Sequence, residues 1–303
     1  MAEARPARAA GYLGGMEGNA PHPPLRLGFS PCPNDCVVFD ALVHGRIPTP
    51  LRFDVVLDDV EALNGMAAAG RLDVAKVSYH AAAHLARSWR LLRSGGALGR
   101  GVGPLFVARE PLSDLRQRVI AVPGGTTTAM LLLALYAPGS TTVAMRFDEI
   151  MPAVASGAVD AGLVIHEGRF TYQEHGLICL QDLGRWWEHT TGHLIPLGAI
   201  AVSRSLPLAV QHEVARVVHA SVAAAFADPA ASEPFVAEHA QEMDPDVRRR
   251  HVELYVNRYT LDVEEEGRAA AHALFAAAAD RGLAPPPPDD LFIDSAAAPA
   301  AAG

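Results

Sequence analysis

The chain has 303 residues, half of them hydrophobic, and a formal net charge of −9 from 34 acidic and 25 basic side chains. This length suits one large α/β unit or two lobes better than a string of small modules. The acidic balance argues against a nucleic-acid or anionic-membrane surface, since either partner needs a basic patch.

The cysteines and the hydropathy pattern both favour a cytoplasmic protein. Cys32, Cys36 and Cys179 are an odd number of cysteines and follow no secretory signal, which is typical of reduced cytosolic thiols. The sequence has no stretch of about 18 uninterrupted apolar residues, so we expect no membrane span. Residues 1–24 are rich in Ala, Arg, Gly and Pro and are predicted to be a disordered leader.

The first hundred residues alternate strands and helices at short intervals. The predicted strands cover residues 25–30, 51–57 and 71–78, and the predicted helices cover 36–44, 58–70 and 79–92. Asn34 or Asp35 is expected to cap the first helix, because two prolines stop the strand before it. This alternation is typical of a parallel sheet with crossover helices, in which ligands bind beyond the carboxyl ends of the strands.

A glycine-rich stretch, residues 95–104, separates this series from a second one and suits a crossing between two lobes. The second series has predicted strands at 118–122, 141–147 and 161–165 and predicted helices at 129–136 and 148–156. The chain is expected to return at 198–202, with alanine-rich helices to about 279 and prolines 285–288 ending the fold. The predicted division is a first lobe of residues 25–108 and 203–290, a second lobe of 109–202, and a tail of 291–303.

His166 is the strongest candidate for a catalytic side chain. It follows five apolar residues, 161–165, which are typical of a central strand buried on both faces. An imidazole at the carboxyl end of that strand would face the cleft between the lobes, and its ordinary pKa suits proton transfer near neutral pH. A hydrogen-bonded core histidine is the alternative. Glu167 is a weak candidate for orienting the imidazole, because adjacent side chains on an extended chain point apart.

Two other strand ends offer groups that could hold an anionic substrate. Lys76 is the only lysine among the 25 basic residues and lies with Ser78 in an apolar run, so an ammonium and a hydroxyl could bind a carboxylate there. Thr126, Thr127 and Thr128 precede a predicted helix, whose free backbone N–H groups make an anion site. Capping of that helix is an equally good interpretation of the threonines. The alternative for Lys76 is a surface lysine that is present by chance and has no functional role.

Other classes of site have little support. Cys32 and Cys36 lack a second pair of ligands at zinc-like spacing, and His80 and His84 lack the glutamate of a zinc-protease helix. The glycine-rich stretch has neither a Walker lysine nor the GxGxxG spacing, and the sequence has no G-x-S-x-G motif. The sequence therefore predicts an enzyme without a metal or nucleotide cofactor that acts on a small carboxylate-bearing molecule.

Several segments together resemble one family, the 1,4-dihydroxy-6-naphthoate synthases of the futalosine route to menaquinone. The segments are residues 28–35 (GFSPCPND), 72–80 (LDVAKVSYH), 147–150 (FDEI), 165–174 (IHEGRFTYQE) and 256–260 (VNRYT). The resemblance implies an α/β fold of two lobes, like the type 2 periplasmic binding proteins, with an interlobe cleft. It also implies a lyase that converts cyclic dehypoxanthinyl futalosine to 1,4-dihydroxy-6-naphthoate and releases a three-carbon fragment, without metal or nucleotide.

The resemblance also implies a role for each candidate residue. His166 would be the proton acceptor, and the substrate would be lined by Lys76, Val77, Ser78, Thr126, Thr127 and Thr128. Cys36 and Gly125 depart from the family's pattern, which leaves the anion contact of the threonine turn open. A non-catalytic binding protein of the same fold and the sibling dehydratase of the pathway are the alternatives. The oligomeric state, the group that orients His166 and the acid that reprotonates the product stay open.

Overall fold

Two β-sheets with helices packed against them make up the computed structural model, which describes residues 23–240 and 244–293. The strands in these residues are β1 (Leu25–Phe29), β2 (Phe53–Leu57), β3 (Val74–Ser78), β4 (Trp89–Leu92), β5 (Ala97–Gly99), β6 (Leu105–Ala108), β7 (Val119–Val122), β8 (Thr141–Ala144), β9 (Ala161–Val164), β10 (Ile178–Asp182), β11 (Ile195–Ser203) and β12 (Phe292–Ile293). The predicted leader up to residue 22 and the predicted tail from residue 294 lie outside the described residues.

The helices connect and cover these strands. They are α1 (Pro33–Val43), α2 (Val60–Ala68), α3 (Tyr79–Leu85), α4 (Thr128–Tyr136), α5 (Phe147–Ser156), α6 (Gly168–Thr171), α7 (Leu183–Thr191), α8 (Leu208–Ala227), α9 (Glu233–His239), α10 (Pro245–Tyr255), α11 (Arg258–Leu261) and α12 (Glu264–Asp280). In the part of the chain that the structure describes, none of them is long and apolar enough to cross a bilayer.

The first sheet contains seven strands in the order β12–β4–β11–β3–β1–β2, and β5 pairs with β11. β1 is parallel to both β2 and β3, as the alternation of strands and helices predicts. β11 returns antiparallel to β3, so the sheet is mixed. All five residues of β3 are buried. Because β1 and β3 run side by side in the same direction, their carboxyl ends bring Ser30 and Ser78 to one edge of the sheet.

The second sheet has the order β10–β6–β9–β7–β8. β9 lies at its centre, parallel to β7 and antiparallel to β6, and all four of its residues are buried. This confirms the predicted buried central strand before His166. The carboxyl ends of β7 and β9 lie at the same edge of this sheet. The turn before α4 therefore lies close to His166.

The ends of several helices follow from local sequence. The side chain of Asp59 accepts hydrogen bonds from two backbone N–H groups of the first turn of α2. Thr127 caps α4 in the same way through the N–H of Met130. Gly157 ends α5 with a φ of +81°, a left-handed conformation that glycine adopts without a Cβ penalty. These ends confirm the predicted α2, α4 and α5 to within one or two residues.

The hydrophobic core is continuous between the two sheets. One cluster of buried side chains contains Tyr79, Leu98 and Phe275 of the first lobe together with Phe106 and Leu132 of the second. The remaining core residues form separate clusters behind each sheet. The two lobes are therefore packed against each other through one shared hydrophobic cluster.

Two predicted boundaries are wrong. The helix predicted for 79–92 ends at Leu85, and residues 89–92 form β4, whose Trp89, Leu91 and Leu92 are buried in the first sheet. The helix predicted from Cys36 begins at Pro33, which needs no backbone N–H partner at that position, and Cys32 precedes it without a side-chain cap. Neither Asn34 nor Asp35 caps the helix, because both side chains enter a buried polar network.

The sheets also differ from the predicted division of the chain in three segments. β6 belongs to the second sheet, although the predicted first lobe includes it. β11 belongs to the first sheet, although the predicted second lobe includes most of it. Phe292 and Ile293, predicted to be tail, pair with Leu91 and Leu92. Each difference arises because the partner strand is distant in sequence, which local patterns do not reveal.

Candidate active site

A cavity with about 670 Å³ of space, including space open to solvent, lies where the carboxyl ends of β1, β3, β7 and β9 face one another. Its apolar wall includes Val60, Val102, Pro104, Ile165 and Leu197. Its polar and titratable lining is Ser30, Asn34, Asp35, Lys76, Ser78, Thr127, Thr128, His166, His251 and Tyr255. A cavity with apolar walls and several polar groups suits a small organic molecule that carries polar substituents.

Lys76 and Asp35 form a buried ion pair on the first-lobe wall, with side chains 6% and 2% exposed. The Asp35 carboxylate also accepts hydrogen bonds from the Ser30 N–H (3.3 Å), the Ser30 hydroxyl (2.6 Å) and the Asn34 amide (2.8 Å). These donors offset the cost of taking the carboxylate out of water. The structure thus places Lys76 at the predicted strand end, but its ammonium already has a carboxylate partner within the chain.

The same network fixes the proton position on a second histidine, His251 of α10, which is fully buried. Asn34 turns its amide nitrogen to Asp35, so its oxygen is the atom that lies 2.9 Å from His251 Nε2. An amide oxygen only accepts hydrogen bonds, so Nε2 carries the proton. The other nitrogen, Nδ1, has no hydrogen-bond partner among the described residues and lies 3.9 Å from Glu167 Oε2.

Ser78 presents a hydroxyl to the cavity at the end of β3. Its backbone N–H donates to Asn64 Oδ1 (2.9 Å), and Asn64 Nδ2 donates to the Ser78 hydroxyl oxygen (3.3 Å). The hydroxyl proton has no acceptor within the described part of the chain and is available to a ligand. Val77, between Lys76 and Ser78, is fully buried in the core and does not line the cavity.

The three threonines before α4 have different surroundings. Thr127 caps the helix and lines the cavity. Thr128 also lines the cavity, and its hydroxyl accepts from the Tyr79 N–H (3.0 Å) and donates to the Leu197 carbonyl (2.7 Å). Both hydrogen bonds of Thr128 join the second lobe to the first. Thr126 does not line the cavity.

The anion site predicted at Thr126 is occupied by a carboxylate of the chain itself. Glu61 of α2 accepts from the Thr126 N–H (3.1 Å) and hydroxyl (2.8 Å), and Asn64 supports it with an amide donor (3.2 Å). Gly124, with a φ of +144°, leaves room for this contact, since a Cβ there would overlap the Glu61 carboxyl group. The turn therefore binds an anion, as its backbone predicts. The anion is the Glu61 carboxylate of the first lobe and not a substrate, so the contact holds the two lobes together.

His166 follows β9 with a φ of +55°, in the left-handed region that few residues other than glycine adopt. This backbone turn directs the imidazole across the gap between the lobes. Phe147 meets the ring edge-to-face at 5.1 Å between centroids, and His251 lies parallel to it at 6.2 Å. The sulfur of Cys32, from the first lobe, is 3.4 Å from Nδ1 and 3.9 Å from Nε2.

Burial decides the protonation of both histidines. It lowers the pKa of His166, although the nearby carboxylates of Glu167 and Asp35 act in the opposite direction. Burial also lowers the pKa of His251 well below its usual range, helped by the proximity of His166 and the Lys76 ammonium. Both imidazoles are therefore neutral at neutral pH, and a neutral imidazole can accept a proton. Burial raises the pKa of the Tyr255 hydroxyl, which stays protonated as a donor.

The structure brings together five of the seven predicted site residues: Lys76, Ser78, Thr127, Thr128 and His166 all line the cavity. The sequence gives no indication of His251 and Tyr255, and it places Asn34 and Asp35 at a strand end where ligands are expected without assigning them a role in the site. For Asn34 or Asp35, as a polar residue after a strand, the sequence predicts a helix cap instead. His251 and Tyr255 lie four residues apart on α10, and their spacing places them on one face of that helix, but an ordinary helix face has the same pattern.

The described residues contain no group of three or more His, Cys, Asp or Glu side chains placed to hold a metal ion. What they do contain is a fixed set of proton acceptors and donors around an apolar-walled cavity. The fold and the site together define a two-lobed α/β protein with a cavity next to a neutral imidazole.

Solved structures support this class. A crystal structure of a protein from Archaeoglobus fulgidus superposes with a TM-score of 0.82 and is 37% identical, covering 86% of this chain and 98% of that one. The alkanesulfonate-binding protein SsuA from Xanthomonas axonopodis pv. citri, solved with MOPS bound, has a TM-score of 0.65 at 17% identity, covering 86% of this chain and 94% of that one. At that identity the likeness concerns the fold alone, and it confirms the predicted two-lobed periplasmic-binding-protein-like fold.

A family model described as "Menaquinone biosynthesis" matches residues 25–280, and the chain belongs to this family. It is 54% identical over 267 residues to a 1,4-dihydroxy-6-naphthoate synthase from Streptomyces coelicolor, covering 86% of this chain and 95% of that protein. It is 52% identical over 269 residues to the synthase of the same name from Thermus thermophilus, covering 89% and 99%. These relatives confirm the predicted family and an enzyme of menaquinone biosynthesis.

Proposed function

We propose that this enzyme is a 1,4-dihydroxy-6-naphthoate synthase that converts cyclic dehypoxanthinyl futalosine to 1,4-dihydroxy-6-naphthoate and releases a three-carbon fragment. The observation that carries the proposal is the neutral, partly buried imidazole of His166 in a cavity with apolar walls. The identity to named synthases over nearly their whole length supports the choice of substrate. The lyase class and a cytoplasmic location belong to the same proposal.

His166 acts as the general base in this reaction. Cleavage of a carbon–carbon bond followed by aromatisation requires a group that removes a proton from the substrate. A partly buried imidazole with a lowered pKa is already neutral at physiological pH, so no proton has to leave it first. The left-handed backbone at His166 is strained for a residue other than glycine, and such strain is concentrated at functional sites.

Groups around the base supply the second requirement, which is stabilisation of negative charge on a substrate oxygen. The Ser78 hydroxyl has a proton to donate, and burial keeps the Tyr255 hydroxyl protonated. The Lys76 ammonium adds positive charge on the same wall, although it also forms an ion pair with Asp35. Thr127 and Thr128 line the opposite wall. The Thr128 hydroxyl already forms hydrogen bonds with the Tyr79 N–H and the Leu197 carbonyl of the first lobe.

The experiment is to incubate the purified chain with cyclic dehypoxanthinyl futalosine and to follow the naphthoate product by liquid chromatography and mass spectrometry. We expect His166→Asn to keep the fold and to lower kcat by about 10²–10⁴-fold, the usual contribution of general base catalysis. His84→Asn is the matched control, because His84 is exposed on α3 and outside the cavity. Near-normal turnover by the His166 variant would exclude His166 as the base, and substrate binding without turnover by the wild type would indicate a binding protein.

A further inference from the structure

Glu167 has a buried carboxylate oxygen that no donor satisfies. Its Oε2 atom has no hydrogen-bond partner among the described residues, and His251 Nδ1 lies 3.9 Å from it. Because the proton of the neutral His251 ring is on Nε2, Nδ1 offers a lone pair and cannot donate to the carboxylate. A buried carboxylate oxygen without a donor is costly, so its presence beside the site requires an explanation.

The backbone after β9 brings Glu167 to the same side as His166. On an extended chain, two adjacent side chains point apart. β9 ends at Val164, however, and both His166 (φ +55°) and Glu167 (φ −63°, ψ −26°) leave the extended conformation. Both side chains line a smaller pocket beside the main cavity, together with Asp59 and Phe147. The carboxylate therefore lies next to the imidazole, but it does not line the main cavity.

We propose that Glu167 supplies the counter-charge for the base: its carboxylate stabilises the imidazolium that forms when His166 accepts a proton from the substrate. An N–H bond forms at the imidazole as the corresponding bond of the substrate breaks, and the electron pair of that bond stays with the substrate. The proton stays on His166 and does not pass to Glu167. Glu167 therefore acts through His166 and is a positioning residue. The inference rests on the proposed role of His166 as general base.

Two other carboxylates act on the imidazole, but hydrogen bonds and an ion pair already compensate their charges. Asp35 pairs with the Lys76 ammonium and accepts three further hydrogen bonds. Asp59 caps α2 and accepts from two backbone N–H groups. Glu167 accepts no hydrogen bond from the described residues and pairs with no Lys or Arg among them. Its negative charge is therefore available to a proton on His166.

The charged groups around His166 change its pKa in both directions. Burial lowers the pKa of the imidazole, and the Lys76 ammonium lowers it further. The carboxylates of Glu167, Asp35 and Asp59 raise it, and the effect of Glu167 is the largest of the three. Glu167 thus offsets part of the cost of placing a positive charge on a partly buried ring.

Two further titratable groups face the imidazole, and both stay uncharged. His251 of α10 lies parallel to the ring, and burial lowers its pKa well below its usual range. Cys32, which precedes α1, lies within 3.9 Å of both ring nitrogens, and burial raises the pKa of its thiol well above its usual range. Neither group supplies a negative charge to the imidazolium, so this role falls to Glu167.

The first test needs no substrate. Nuclear magnetic resonance follows the ring protons of each histidine through a pH titration, and His166→Asn identifies the His166 signal among the 13 histidines. We expect Glu167→Gln to lower the pKa of His166 by about one pH unit, because glutamine keeps the size of the side chain and loses its charge. Glu174→Gln is the matched control, because Glu174 is exposed in the same segment and lines neither pocket that contains His166.

The second test measures turnover. We expect Glu167→Gln to lower kcat about 3–10-fold with little change in KM, because the rate of proton removal follows the strength of the base only in part. The acidic limb of the kcat/KM profile should move to lower pH by about one unit. Glu167→Asp keeps the charge and should recover most of both effects. In the His166→Asn background, Glu167→Gln should cause no further loss.

Four results would overturn the inference. An unchanged pKa of His166 in Glu167→Gln shows that the carboxylate does not act on the base. An equal change in Glu174→Gln shows a general effect of net charge. A loss in Glu167→Asp as large as that in Glu167→Gln shows that the shape of the side chain matters and its charge does not. If the effect of Glu167→Gln disappears in a His251→Gln background, the carboxylate acts through His251.

Failure of the proposed function has a different signature. If the wild type does not convert the futalosine derivative, the proposed reaction is wrong, whereas the titration of His166 still tests the counter-charge.

Discussion

Replacement of Lys76 by methionine tests the buried ion pair on which the first-lobe wall depends. The two side chains are 6% and 2% exposed, so the ion pair is largely removed from water. Breaking a buried pair by removing one partner costs about 3–5 kcal/mol, because the other charge stays buried. Asp35 retains three donors, from the Ser30 N–H, the Ser30 hydroxyl and the Asn34 amide. We therefore expect Lys76→Met to lower the free energy of unfolding by about 3 kcal/mol, at the lower end of that range.

The assay is urea denaturation at neutral pH followed by circular dichroism, with the denaturant dependence compared between variants. Asp35→Asn combined with Lys76→Met removes both charges, and we expect its cost to be about 1–3 kcal/mol smaller than the sum of the two single changes. Arg249→Met is the control, because Arg249 forms exposed ion pairs with Asp246 and Glu253 and should have no measurable effect.

An unchanged unfolding midpoint for Lys76→Met would refute the reasoning, since a buried carboxylate cannot lose its counter-charge without cost. Additive effects in the double variant would show that the two charges do not interact. Independently of stability, the loss of the ammonium should raise KM for a carboxylate-bearing substrate more than it lowers kcat. An unchanged KM would exclude Lys76 from substrate binding.

Three further predictions follow from the same site. Because partial burial lowers the pKa of His166, the acidic limb of the kcat/KM profile should have an apparent pKa below about 6.5, and a value above that contradicts a base with a lowered pKa. Burial also lowers the pKa of His251, so the unfolded chain binds a proton that the folded chain excludes, and stability should fall as pH decreases below about 6.5. His251→Gln should show a smaller fall between about pH 7.5 and pH 5 in urea midpoints, and an equal fall would assign the effect to other groups. Gly124→Ala should raise KM and destabilise the fold, because its Cβ would overlap the Glu61 carboxyl group. Gly139→Ala is the control, because it also places an alanine at a positive φ but with no neighbour within 4 Å of its Cβ, and it should have the smaller effect.

The sequence was sufficient to predict those strands, turns and helices that depend on neighbouring residues. The apolar run 161–165 has the composition of a central strand, and β9 is the central strand of the second sheet. The Pro-Gly-Gly-Thr turn predicted free N–H groups before a helix, and the Thr126 N–H does bind a carboxylate. Alternation of strands and helices predicted parallel pairing of β1 with β2 and β3, because short crossovers return the chain in the same direction.

Contacts between distant segments could not be predicted in this way. Trp89 to Leu92 have the apolar character of either a buried helix or a buried strand, and only pairing with β11 and β12 makes them a strand. The ammonium of Lys76 was expected to be free for substrate, but Asp35, 41 residues away, reaches it across β1 and β3. Glu61 fills the predicted anion site from 65 residues away.

The sequence by itself therefore determined the class of fold, the family and the position of the histidine at a strand end, because periodicity and short motifs depend on neighbouring residues. The tertiary structure decided what surrounds that histidine. The sulfur of Cys32, 134 residues away in sequence, and the imidazole of His251 on α10 both contact the ring of His166. These contacts make His166 part of a site. Burial between the lobes then lowers the pKa of His166, and burial exists only once both lobes have folded and closed.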